Sequence, residues 1–493
     1  MPTLIEHFAD LIIASQQTYQ PLDRRYLINV IYQQVGSTPK SANWPTTLIA
    51  TARQLVRYAV TNRMIENRLA AKERLLAQLT DLYTPTPARV NQQFWNQYQF
   101  SPQAATDYFY QLSQANDYIK MAAIQKNIQF QTASPYGRFE VTINLSKPEK
   151  DPRAIAQAQK VAQNYPHDAL SFENEGFAGD AQHAPRRNHR LVRLTLGGQT
   201  FGLQYSPYAY FEQHCILLSQ AEQVMHIDAL TFHNLLDAVD LFPHYFFGSN
   251  ADLPIVGGSI LAHDHYQGGQ HVFAMDRAPI VQKVTLGRFP DVQAGILQWP
   301  VSTLRLQSTN KQHLVQAAEL ILACWQRYSD PQVGIVAQSD GQQHHTLTPI
   351  ARKQGSTYEL DLALRDNQTS KQFPDGIFHP HPELHHIKKE NIGLIEVMGL
   401  AILPPRLVPE LTAVKQFLLG QKVKVNPIHQ PWVQQIQQKH QVTVANVDAT
   451  LQTELGQVFQ QVLEDVGVFK QNAIGQAAWQ RFIAAINVFA SKD

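Results

Sequence analysis

The sequence predicts an α+β protein: two similar blocks of antiparallel sheet with packing helices, flanked by helical regions at both ends. Three observations carry this. Apolar residues keep helical spacing before residue 125 and again after residue 406. Between those limits, short runs alternate apolar with polar residues, the mark of half-buried strands. Each of two successive blocks also places one helical stretch among such runs and ends in a histidine-rich segment. The divisions expected are helical residues 1–125, blocks at 126–300 and 301–405, and helical residues 406–493. No strict period relates the blocks, so the order of elements alone suggests a duplication.

In the first region Val56, Ala59, Val60 and Met64 keep helical spacing, as do Tyr108, Leu112 and Ile119. Proline-containing breaks at Ser37-Thr38-Pro39 and Thr84-Pro85-Thr86-Pro87 separate the helices. The character changes at Arg138. Phe139, Val141, Ile143 and Leu145 alternate with polar residues and run into a turn carrying Lys147 and Lys150. Residues 190–205 read as a hairpin turning on Gly197-Gly198, and residues 214–218 as a further strand. A helix follows, capped by Asp228, with Leu230, Leu235, Leu236 and Val239 as its apolar residues and Pro243 ending it. Then comes a glycine-bounded histidine segment, continued by Val272-Phe273-Ala274 as a strand.

The second block repeats the pattern. Residues 304–306 form a strand, and Leu314, Ala317, Ile321 and Cys324 line a helix. Strands are expected at 333–337, 346–350 and 358–364, the first two joined across Asp340-Gly341. The block closes on His379, His381, His385 and His386, then Lys388-Lys389, then a strand-like 393–398. After Pro404-Pro405, Leu451, Leu455, Val458, Phe459 and Val462 form an amphipathic stripe expected to pack inward.

Composition narrows the class. At 493 residues the chain exceeds one simple core, and 44% hydrophobic content is that of an ordinary soluble protein. Lys and Arg total 41 against 40 Asp and Glu, so no net field attracts nucleic acid or an anionic membrane. An anionic ligand must then be held by local basic groups. Cys215 and Cys324, the only cysteines, sit in separate apolar runs, so no disulfide framework is indicated. No basic leader precedes an apolar core, and no stretch of about twenty apolar residues occurs. A cytoplasmic protein is expected.

The chemistry concentrates in residues 257–269. On an extended segment His263, His265 and Gln267, spaced by two, share one face, while Asp264 and Tyr266 take the other. Glycines on both sides let a ligand approach the backbone. A neutral imidazole is a competent nucleophile near pH 7, and its attack on phosphorus splits one transfer into two easier steps. A co-facial amide can donate to a phosphoryl oxygen as charge builds. It cannot activate water, which favours transfer to a sugar phosphate over hydrolysis.

His263-Asp264-His265-Tyr266-Gln267 resembles the His-x-His-x-Gln signature of the galactose-1-phosphate uridylyltransferases, a transferase branch of the histidine-triad superfamily. Longer strings are similar to the family's second sequence class. They are residues 144–152, Arg187-Asn188-His189-Arg190, and Phe378-His379-Pro380-His381 through Lys388-Lys389-Glu390-Asn391. The similarity covers nearly the whole chain. It implies histidine-triad-like blocks and exchange of UMP between UDP-glucose and galactose 1-phosphate through a uridylyl-histidine. His265 matches the nucleophile and Gln267 the glutamine at the transferred phosphoryl group. His263 matches a histidine that binds zinc in the better-studied class. That class adds a Cys-x-x-Cys pair, absent here, so no metal is assigned; a structural metal is left open. His379 and His381 are similar to a pair holding a second metal there. Asn250, Ser259, Arg187, Lys147, Lys388 and Lys389 are the candidate substrate contacts, and the family tendency implies a homodimer.

Two other classes stay open on the residues alone. A metal-dependent sugar-nucleotide hydrolase would use His263, His265 and the 379–386 histidines as ligands. A non-catalytic UDP-sugar sensor would bind without turnover. The four later histidines also fit solvated or hydrogen-bonded loop positions, and the basic residues fit solvated charges.

Overall fold

A computed structural model describes residues 1–146, 165–180, 183–258 and 260–491. The expected turn carrying Lys147 lies outside the described residues, as does Ser259.

Seven helices open the chain: α1 (Leu4–Ala14), α2 (Arg24–Val35), α3 (Leu48–Thr61), α4 (Leu69–Asp81), α5 (Pro87–Tyr98), α6 (Pro102–Ala115) and α7 (Met121–Ile124). Thr3 and Glu6 form a capping box that starts α1. The first four helices bury their own core around Phe8, Ile12, Ile31, Leu55 and Leu79. Val90, Phe94 and Phe109 of α5 and α6 instead join the large core of the sheet. The helical region thus divides between an outer bundle and a cover for the sheet.

Fifteen strands follow among the described residues. They are β1 (Ile128–Ser134), β2 (Gly137–Ile143), β3 (Val192–Leu196), β4 (Gln199–Tyr205), β5 (Cys215–Ser219), β6 (Phe246–Gly248), β7 (His265–Gly269), β8 (Ile280–Val284), β9 (Gln293–Leu297), β10 (Thr303–Ser308), β11 (Gln338–Ser339), β12 (Gln342–Gln343), β13 (His345–Gln354), β14 (Thr357–Asp366) and β15 (Leu400–Leu403). The later helices are α8 (Ala229–Leu241), α9 (Lys311–Trp325), α10 (Leu394–Val397), α11 (Leu407–Leu418), α12 (Gln430–Lys439), α13 (Val447–Val466) and α14 (Ala473–Ala490).

Ten strands make one antiparallel sheet in the order β3-β4-β5-β7-β6-β13-β14-β10-β9-β8. The order contains two copies of one topology. Strands β3, β4, β5, helix α8, then β6 and β7 give 3-4-5-7-6; β8, β9, β10, helix α9, then β13 and β14 give 8-9-10-14-13. The copies join where β6 pairs with β13. Strands β8 and β9, grouped by sequence with residues 126–300, thus pair into the second copy. The histidine segments are not equivalent. In the first copy they lie at β7; its counterpart β14 has no histidine, and the 379–386 run comes after it.

Most expected elements form as the local chemistry requires. Asp228 caps α8 by accepting from the Thr231 N–H, and the Gly197-Gly198 turn uses φ of 53° and 79°, which glycine adopts without strain. Three expectations need correction. Residues 272–274 are not a strand, because β7 ends at Gly269, whose φ is 146°. Residues 394–397 are a helical turn instead of a strand, with Glu396 accepting from the Gly393 N–H at its start. The strand expected at 333–337 is a 3-10 turn, Pro331–Val333, and the Asp340-Gly341 hairpin joins β11 to β12.

One face of the long sheet is buried under α5, α6, α8, α9 and α14, with Tyr266, Leu306 and Leu362 pointing into that core. On the opposite face, Phe246 and Ile350 belong to a second core built by Phe139, Trp299, the 394–403 segment and the expected α13 stripe. There β15 pairs in parallel with β2 and completes a three-stranded sheet with β1. This second layer faces β7 and leaves a cavity beside it.

Candidate active site

The cavity measures about 940 Å³ and lies between β5 and β7 on one side and the 388–405 segment on the other. His265, Gln267, Asn250 and Lys388 all line it. Four of the sequence candidates, from three parts of the chain, thus come together.

His265 is held by its own neighbour. Its Nδ1 lies 2.8 Å from the His263 carbonyl oxygen, which can only accept, so the ring proton sits on Nδ1. The lone pair is then on Nε2, which no described residue hydrogen-bonds. Burial lowers the pKa of the ring below its ordinary value; the His263 carbonyl opposes this and the charge on His263 adds to it. The ring is therefore neutral near pH 7. A neutral imidazole with a free Nε2 is the nucleophilic form.

His263 is held differently. β7 begins only at His265, and residue 264 is instead bridged to Gln223 and Ser219 through the backbone. The alternation expected over 263–267 therefore breaks at its first member, and His263 does not line the cavity. Its Nδ1 lies 2.9 Å from Asp168 Oδ2 and its Nε2 2.8 Å from the Ser219 carbonyl oxygen. Two acceptors require two N–H groups. Burial opposes the charge, but the bonds to Asp168 and Ser219 outweigh it and raise the pKa. On the other face of the strand, Tyr266 donates to Asp264 and accepts from Asn234, so that face is structural.

Asn250 is buried, with Oδ1 accepting from the Leu394 N–H at 2.9 Å, which ties the end of β6 to the opposite wall. A Cβ on Gly258 would lie 2.8 Å from Asn250 Nδ2, so this close approach requires glycine. Lys388 is buried too, and its Nζ is paired with Glu396 and donates to the Ile402 carbonyl at 3.1 Å. Its charge is spent on the wall of the cavity before any ligand arrives. Lys389 is exposed, and Arg187 is half-buried; neither lines the cavity. Sequence reading missed His214, Tyr210, Asp168 and Glu396. Asp168 and His263 are 95 positions apart, and no local spacing signals their contact.

The donor set that holds zinc in the better-studied class is not assembled here. Both His263 nitrogens are committed, and Cys215 and Cys324 are buried on β5 and α9. The later histidines are hydrogen-bonded: His379 Nε2 to Asn391, His381 Nε2 to the Ile377 carbonyl, His385 Nε2 to the Pro380 carbonyl and His386 Nδ1 to the Glu383 carbonyl. Among the described residues, one group could offer three donors to a cation. His167, Glu173 and Glu222 bring theirs within 4.8 Å of one another near the surface, next to Asp168.

Comparison with known proteins is consistent along the chain. The galactose-1-phosphate uridyl transferase N-terminal domain matches residues 13–223 and the C-terminal domain of the same family matches residues 238–434. The galactose-1-phosphate uridylyltransferase of Lactiplantibacillus plantarum is 51% identical over 98% of this chain and 100% of its own length. That of Latilactobacillus sakei is 52% identical over 96% of both, and that of Ligilactobacillus salivarius 50% identical over 98% and 99%. Among solved structures, yeast Ap4A phosphorylase Apa2 matches with a TM-score of 0.32 at 11% identity, over 60% of this chain and 87% of that one, too distant to carry an argument. No helix among the described residues is long and apolar enough to cross a membrane. With both family domains and full-length relatives matched, the chain belongs to the galactose-1-phosphate uridylyltransferase family of nucleotidyltransferases.

Proposed function

We propose that this chain moves a uridylyl group from UDP-glucose to galactose 1-phosphate in two displacements at His265. The observation that carries the reading is the state of that ring: buried, neutral and held on the His263 carbonyl by Nδ1, with its Nε2 lone pair free. In the first displacement Nε2 attacks the α-phosphorus of UDP-glucose. A P–N bond forms, the P–O bond to the β-phosphate breaks, and the electron pair leaves on glucose 1-phosphate. In the second, a phosphate oxygen of galactose 1-phosphate attacks the same phosphorus, and the P–N electron pair returns to Nε2. No proton transfer is needed in either step. The positive ring of the intermediate stays hydrogen-bonded to the His263 carbonyl, which favours it.

Gln267 donates to the transferred phosphoryl group, and Asn250 shapes the wall on which the nucleotide rests. His263 acts through its backbone, as a positioning residue. Lys388 organises the opposite wall with Glu396. Lys147 and Ser259 keep the substrate-contact roles that the family resemblance implies. The two five-strand units are read as paired histidine-triad-like blocks between the helical regions 1–125 and 406–493. The family resemblance also supports a homodimer, which a single-chain mass by light scattering would exclude.

The test uses UDP-glucose labelled at the α-phosphate, mixed with the protein alone and quenched within milliseconds. Acid-labile, base-stable label on the peptide containing His265 is expected. Turnover with no trapped label would mean direct displacement and would remove His265 from this role.

A further inference from the structure

The side chain that meets Gln267 is His214, the residue immediately before β5. The β5–β7 ladder sets Ile216 opposite Gln267 and Cys215 opposite Gly268, so His214 stands beside the amide. Its Nε2 lies 3.1 Å from Gln267 Oε1. The imidazole is buried, stacked on Tyr210 at an interplanar angle of 27° and packed against Phe211, with ring centroids 4.7 Å apart. Its other nitrogen, Nδ1, is buried with no hydrogen-bond partner among the described residues.

Two arrangements could satisfy the contact. Either His214 Nε2–H donates to Gln267 Oε1, or the amide –NH2 donates to a bare Nε2. The second puts the ring proton on Nδ1, a buried donor with nothing to accept it. Orphaned buried N–H groups are rarer and costlier than unused lone pairs. Burial also holds the ring neutral, drawing its pKa down to about 4. A doubly protonated ring, which would leave the same orphan, is thereby excluded near pH 7.

We propose that His214 is a positioning residue that fixes which end of the Gln267 amide faces the cavity. Holding Oε1 leaves both Nε2 hydrogens for the phosphoryl oxygens; a flipped amide would set its carbonyl oxygen against an anion. This rests on the reading of Gln267 as the donor to the transferred phosphoryl group.

The test measures exchange of label between UDP-glucose and glucose 1-phosphate for His214→Phe, Gln267→Ala and the double variant. Gln267→Ala is expected to lower kcat about a hundredfold, the size of one lost transition-state donor. His214→Phe keeps the stack but cannot donate, and is expected to lower kcat about tenfold or more with KM little changed. The double variant should be no slower than Gln267→Ala alone, because His214 acts only through that amide. His214→Gln, whose own Nε2 reaches the same oxygen, should recover most of the rate. A wild-type rate for His214→Phe, or losses that multiply in the double variant, would overturn the proposal. A wild-type rate for Gln267→Ala would instead remove the reading of Gln267 beneath it. Should His214→Phe not fold, His214→Gln and His214→Asn carry the comparison: Gln fast and Asn slow supports the role, and equal rates end it.

Discussion

Asp168 Oδ2 meets His263 Nδ1 at 2.9 Å while the Ser219 carbonyl takes the other nitrogen of the same ring at 2.8 Å. The ring so clamped belongs to the residue whose carbonyl oxygen holds His265 Nδ1. A carboxylate outside the cavity wall therefore sets the orientation of the His265 ring through one peptide group, in the way that carboxylate–histidine pairs orient reactive groups elsewhere.

Asp168→Asn is expected to destabilise the fold and to do so pH-dependently. The pKa of His263 is raised above its ordinary 6.5, so its contribution is full below that value and fades as pH climbs through the folded pKa. That of Asp168 is lowered; burial opposes this, but the bond to His263 prevails. Its contribution is present above 3.8 and is lost as pH falls through the folded pKa. Urea melts should show a difference of about 1–3 kcal/mol, largest between about pH 4 and 6.5. A difference independent of pH would break the link.

The first half-reaction should survive mild acid. His265 must be unprotonated to attack, and burial moves its pKa below 6.5. The rate of label exchange should therefore fall on the acid side with a one-proton midpoint below 6.5. A midpoint above that value would mean that another group controls the nucleophile.

His265→Asn removes the nucleophile, since an amide does not attack phosphorus. Covalent labelling should vanish while circular dichroism and the melting transition keep a folded profile. Label retained on the variant would place the nucleophile elsewhere.

Lys388→Met tests the wall opposite His265. Both Lys388 and Glu396 are buried, and removing the lysine leaves the carboxylate charged without its counter-ion. A loss of about 3–5 kcal/mol in unfolding free energy is expected, partly recovered by adding Glu396→Gln. A neutral single variant would show that Lys388 is not bound to the wall.

Gly258→Ala places a methyl group against Asn250 Nδ2. Asn250 must shift, and with it the bond to Leu394 that joins the two walls. A several-fold rise in KM for UDP-glucose is expected, with the melting transition little changed. An unchanged KM would detach Asn250 from substrate binding.

Much of this was legible in one dimension because its causes are local. The Gly197-Gly198 hairpin, the Asp228 cap and the α13 stripe each depend on residues within a few positions, and each forms as expected. The 393–398 run misled for the same reason. Its apolar content fits a strand, but Glu396 folds back onto the Gly393 N–H and starts a helical turn.

The sequence by itself determined the α+β class and a segment with an imidazole two residues before an amide. Those follow from periodicity and from the chemistry of side chains that keep their character wherever they fall. Only the tertiary structure separated His263 from His265, giving one a carboxylate and a carbonyl and the other a free nitrogen. It also turned Lys388 toward Glu396 and brought His214 to Gln267. A residue's protonation, pairing and access depend on what lies within a few ångströms of it, and Asp168 and His214 reach their partners here from 95 and 53 positions away.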